Sequence, residues 1–101
     1  MIRHIFIGTF KEGISEDVRQ KQLADMKAMK EKIPGIVALK VGLSTGWVGS
    51  ENQVAMTVDF HSKADFEGYM AHPYHMEHID KTGTEYFHRE SFVVAQFEFE
   101  E

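Results

Sequence analysis

The segment IRHIFIGTF (2–10) reads as a β-strand that is apolar on both sides. Successive side chains of an extended chain point to opposite faces. Ile2 and Phe6 therefore share one face with His4, and Ile5 and Ile7 share the other. The segment SFVVAQFEF (91–99) behaves alike, with Phe92 and Val94 opposed to Val93, Ala95, Phe97 and Phe99. A sheet built from both segments has two apolar faces, and each needs cover.

The intervening chain supplies cover for one face only. Ser15 is a helix N-cap, with Glu16 and Asp17 in the positive first turn. The stretch to Lys32 carries the apolar stripe Val18, Leu23, Met26, Met29 and Ile33, and IPG (33–35) ends the helix. IVALKVGL (36–43) and QVAMTVDF (53–60) read as two further strands joined by the glycine-rich loop 44–52. HSKADFEGYMA opens a second helix, with Ser62 as its N-cap and Asp65 three residues on. Residues 82–90 read as irregular. The order β-α-β-β-α-β predicts an α+β ferredoxin-like sandwich: one antiparallel sheet with both helices on one face. The uncovered face predicts a homodimer built through Ile5, Ile7, Val93 and Ala95, in which two sheets close into an α+β barrel.

The 101 residues fit a single domain, 1–101, and lack cysteine, which excludes disulfides, thiolate nucleophiles and cysteine-type zinc sites. A net charge of −5 argues against nucleic-acid partners, and no segment is apolar enough for a signal peptide or a membrane span. The expectation is a cytoplasmic protein without membrane contact.

The stretches RHIFIGTFKEGISEDV, KEKIPGI and YMAHPYH resemble, in this order and spacing, the stress-responsive dimeric α+β barrel (Dabb) family. The resemblance spans essentially the whole chain and implies the same dimeric barrel. It implies no single activity. A plant branch with these motifs cyclises linear polyketides by aldol condensation, and its pocket residues correspond to His4, His75 and Tyr69. A tyrosine that lines that pocket from the first helix is replaced here by Met26.

HPYHMEH (72–78) holds three of the six histidines. Pro73 suits the first turn of a restarted helix, which makes His72 the junction and cap. His75 and His78 would share a helical face at i, i+3 with Ile79 beside them, His75 toward the sheet and His78 toward the rim. Imidazole titrates near neutrality, so His75, oriented by Tyr69, suits proton transfer next to a carbonyl. His4 has two open uses, a buried neutral imidazole that hydrogen-bonds a neighbour, or a base or orienting partner in the pocket. Positions i and i+6 diverge on a helix, so no metal site is expected, and no cofactor. His61 and His88 read as surface residues, Trp47 as a loop aromatic packed on its own subunit or the partner, and the methionines as core.

Three functions follow from this reading. The first is cofactor-free acid/base chemistry on a small carbonyl-containing ligand, as in a polyketide cyclase. The second is non-catalytic binding of a small organic molecule in a stress response. The third is chemistry like that of a cofactor-independent monooxygenase.

Overall fold

The computed structural model describes residues 1–100, apart from the side chains of residues 78 and 82–84. The elements are β1 (Ile2–Phe10), α1 (Glu16–Lys32), β2 (Ile36–Leu43), β3 (Gln53–Phe60), α2 (Lys63–Ala71), a π-helical segment (His75–Asp80), α3 (Lys81–Tyr86) and β4 (Phe87–Glu98). The four strands form one sheet in the order β2-β3-β1-β4, every neighbouring pair antiparallel. This is the ferredoxin-like α+β fold.

Local chemistry sets the element ends. The Ser15 hydroxyl accepts from the Val18 amide at 3.2 Å, and Ser62 accepts from Asp65 at 3.2 Å. Each satisfies one of the amides left over at a helix start. After α1, Gly35 turns the chain at φ +93°, and a Cβ there would lie 3.1 Å from the Asp65 side chain. Any other residue would be strained and would push into the start of α2.

The core lies between the helices and one sheet face. Phe10, Val54, Met56, Val58 and Phe60 from the sheet meet Leu23, Met26, Met29 and Ile33 from α1 and Tyr69 from α2, all buried. His4 points to this side and is buried too. On the opposite face a groove is lined by Ile5, Ile7, Ala55 and Thr57, among others. Val93 is 57% exposed and Phe97 46%. Register places Ile5 beside Ala95 and Ile7 beside Val93, so the apolar patch is continuous across β1 and β4. The same face carries one ion pair, Arg3 Nε and Nη2 to the Asp59 carboxylate at 2.8 and 2.9 Å, with Phe99 against the guanidinium.

Two expectations change. Residues 82–90 are not irregular: the helix runs to Tyr86 and β4 begins at Phe87, four residues before SFVVAQFEF. Packing overrides local pattern here, because Phe87 pairs with Phe10 across the sheet and stacks on its ring at 4.4 Å. A register shift between Ile7 and Thr9 is bridged by Ser91, whose hydroxyl accepts from the Thr9 amide at 3.0 Å. Met70 and Met76 are exposed rather than core; Trp47, expected against its own subunit or the partner, is 87% exposed on this chain. Among the described residues no helix is long and apolar enough to cross a membrane.

Candidate functional site

The site is built where the chain leaves α2. Tyr69 and Phe66 lie one turn apart and face the sheet, where Tyr69 packs at 5.3 Å from Phe60 and is fully buried. His72 ends α2 in extended geometry, and Pro73 restarts the helix. The His72 Nδ1 accepts from the Tyr74 amide at 3.1 Å, so this histidine caps the restart and its Nδ1 is engaged. Tyr74 donates its hydroxyl to the Asp25 carbonyl at 3.0 Å and ties the restart to α1. The chain then winds as a π-helix over His75–Asp80, not as the α-helix on which the shared face of His75 and His78 was expected. His78 carries a side chain outside the described residues.

These elements bring the three predicted histidine and tyrosine side chains into a row. The rings of His4 and Tyr69 are 5.8 Å apart, and those of Tyr69 and His75 are 4.7 Å apart. An apolar cavity of about 140 Å³ opens beside them, close in size to the ~150 Å³ of an engineered cavity that holds benzene. Met26, Met56, Tyr69 and Phe87 form its buried floor, and Met70, Asp80 and Val94 lie at its mouth. Met26 thus places a thioether where the family resemblance gives a hydroxyl.

His4 does not line this cavity, contrary to expectation. It sits behind Tyr69, against Phe66, and its Nδ1 is 2.9 Å from the Gln96 side-chain nitrogen. An amide nitrogen only donates, so His4 Nδ1 is the acceptor and the ring is neutral. Burial, helped by the nearby His75, pushes its pKa down to about 4.

His75 and Tyr69 are pushed in opposite directions. Burial lowers the His75 pKa, opposed by the Asp80 carboxylate and the Met70 backbone carbonyl, so the imidazole favours its neutral form. Burial raises the Tyr69 phenol, which stays protonated and able to donate. Among the described residues, neither the Tyr69 hydroxyl nor His75 Nδ1 has a hydrogen-bond partner, although both atoms are buried. Buried polar groups are nearly always paired, so two such atoms at one cavity point to a ligand that pairs them.

Two polar cavity residues do not read from the sequence as lining the pocket, although Asp80, with Glu77, reads there as a possible metal ligand. Gln22 is buried on α1 and lines the cavity. Its signal is a polar residue in the apolar stripe, midway at four-residue spacing between Val18 and Met26. Asp80 also lines the cavity, and Arg89 Nη2 holds its carboxylate at 3.3 Å. Nothing in an α-helical reading places Asp80 beside His75. Elsewhere, His61 is exposed and His88 bridges Glu12 at 3.2 Å and Glu90 at 3.4 Å. Among the described residues no three histidine or carboxylate side chains converge as metal ligands.

The stress responsive A/B barrel domain family, Dabb, matches residues 2–99. The chain belongs to this family. Among solved structures it is similar to a dimeric ferredoxin-like protein of unknown function from Thermobifida fusca. The two are 19% identical, the match covers 97% of this chain and 90% of that one, and the TM-score is 0.83. It is also similar to the hydroxynitrile lyase of Passiflora edulis, at 23% identity, 99% and 94% coverage and a TM-score of 0.80. An antibiotic biosynthesis monooxygenase matches at 10% identity, 100% coverage of both chains and a TM-score of 0.79. At these identities the likeness establishes the fold. No curated protein matches the sequence significantly.

Proposed function

We propose that this Dabb protein is a small homodimeric catalyst that carries out cofactor-free acid/base chemistry on a carbonyl-containing organic molecule. The observation that carries the reading is the pair of buried, unpartnered atoms at one apolar cavity, Tyr69 Oη and His75 Nδ1. Burial keeps the phenol protonated and favours the neutral imidazole, so one group is set to donate a hydrogen bond and the other to accept a proton. His75 takes a proton from the carbon next to the carbonyl, and the Tyr69 hydroxyl donates to the oxygen on which negative charge gathers. In an aldol cyclisation the enolate carbon then attacks a second carbonyl of the same molecule, and the proton returns from His75 to the new alkoxide. No oxidant enters. His4 acts behind Tyr69 as a neutral packing partner.

The homodimer rests on the continuous apolar patch of β1 and β4, and on neighbours of this fold that are described as dimeric. Hydroxynitrile lyase and monooxygenase are names of proteins on the same scaffold, and scaffolds host many chemistries.

Acetophenone tests the proposal, since it joins a benzene-sized ring to a carbonyl with exchangeable methyl protons. In D₂O the protein should speed deuterium uptake into the methyl group, and His75→Gln should remove the acceleration. Uptake at the buffer rate, with the Tyr69 and His75 resonances shifted by the ligand, would replace catalysis by binding alone. Uptake unaffected by His75→Gln would end the assignment of the base.

A further inference from the structure

The π-helical segment has a geometric consequence. A π-helix closes its hydrogen bonds at i→i+5, so residues five apart lie one turn apart. On an α-helix of 3.6 residues per turn the same two residues point about 140° apart. His75 and Asp80 are the first and last residues of this segment, and both line the cavity. Asp80 is fixed from β4 by Arg89, through its carboxylate at 3.3 Å and its backbone carbonyl at 3.2 Å.

We infer that Asp80 is a positioning residue for His75: its carboxylate, one π-turn away on the same wall, steadies the imidazolium that forms when His75 takes a proton. Arg89 sets how much of that negative charge His75 feels. The inference rests on His75 being the base of the site. A buried imidazole loses solvent stabilisation of its charged form, and a nearby carboxylate restores part of it. The electrostatics of the site agree, since the Asp80 charge acts on His75 against the effect of burial. The other groups around His75 are Tyr69 from α2, His4 behind it on β1 and neutral Gln22 from α1, and β4 adds the uncharged Phe92 and Val94. Asp80 is therefore the anion of this cavity wall among the described residues. Because Asp80 sits at the mouth, Arg89 competes for it from the solvent side and a bound substrate would alter that competition.

The test is the imidazole titration of His75 by ¹H–¹³C NMR, its resonance assigned by loss in His75→Gln. Asp80→Asn should lower the His75 pKa by about half a pH unit or more, Asp80→Glu should largely restore it, and Arg89→Gln should raise it. A folded Asp80→Asn protein, judged by its amide spectrum, with an unmoved His75 titration would overturn the inference. Should that variant misfold, an unmoved titration in Arg89→Gln overturns it instead. The acetophenone assay separates the two claims. Exchange lost in His75→Gln, with a pH profile in Asp80→Asn identical to that of the wild type, removes Asp80 and leaves the base standing.

Discussion

His4 makes the stability of this protein depend on pH in a way that can be worked out in advance. Its pKa falls from the ordinary 6.5 to about 4 on folding because the ring is buried beside Phe66 and Tyr69. The unfolded chain therefore binds more protons than the folded one between those values, and stability falls as pH falls. The contribution is complete above about pH 6.5, erodes toward pH 4 and is constant below. From pH 7 to pH 5 the two titration curves differ by about 2 kcal/mol. Ordinary carboxylates stay largely ionised over that window, so they add little. His75, also lowered by burial, adds in the same direction. With a urea dependence of ~1–3 kcal/mol/M for a domain of this size, the midpoint should drop by roughly 0.7–2 M. Urea unfolding at one fixed protein concentration measures this, since assembly makes stability concentration-dependent. In His4→Leu most of the slope should vanish. A variant with the full wild-type slope, or a His4 resonance titrating near 6.5, would refute the reasoning.

Three further outcomes are expected. Tyr69→Phe removes an unpaired buried hydroxyl, so the ligand-free protein should gain about 1 kcal/mol in urea unfolding while acetophenone exchange drops at least about tenfold. Light scattering at micromolar concentration should show a dimer, and Ile7→Asp should yield monomer or unfolded chain because it buries a charge in the β1–β4 patch; a monomeric wild type would remove the assembly. Elemental analysis of protein purified without a histidine tag should find no stoichiometric metal, and one zinc or nickel per chain lost in His75→Ala would reverse that expectation.

The parts of the fold that were legible carry local marks. Strands 2–10, 36–43 and 53–60 and the helix ending at Lys32 have the expected bounds, because β-branched and aromatic runs, turn residues and caps mark them directly. The start of β4 was hidden because His88, Arg89 and Glu90 lie near solvent at the sheet edge. Their polarity erases the alternation, while the pairing of Phe87 with Phe10 that creates the strand is a contact across the whole chain. The two exposed methionines show the converse. Met70 and Met76 sit on helical turns that face the cavity mouth and solvent, and residue type alone places them in the core.

The site was legible to the extent that it depends on parity and failed where it depends on helix pitch. An even-numbered position puts His4 on the helix-facing side of β1, and that suffices to bring it near Tyr69. It does not decide which side of the Tyr69 ring the cavity opens on, and the cavity opens on the side of His75. Pitch matters more. Under α-helical spacing His75 looks toward Ile79 and away from Asp80, so the segment reads as a base without a counter-charge. Under π-helical spacing both His75 and Asp80 reach the cavity, Ile79 still lines it, and the imidazole acquires a carboxylate on its own wall. π-turns are rare, and they occur frequently at functional sites. Here the wider turn follows the His72–Pro73 restart, where Tyr74 is pinned to α1 through the Asp25 carbonyl and Asp80 is pinned to β4 through Arg89. With both ends anchored, the segment is held in the pitch that puts the Asp80 carboxylate and the His75 imidazole on one wall.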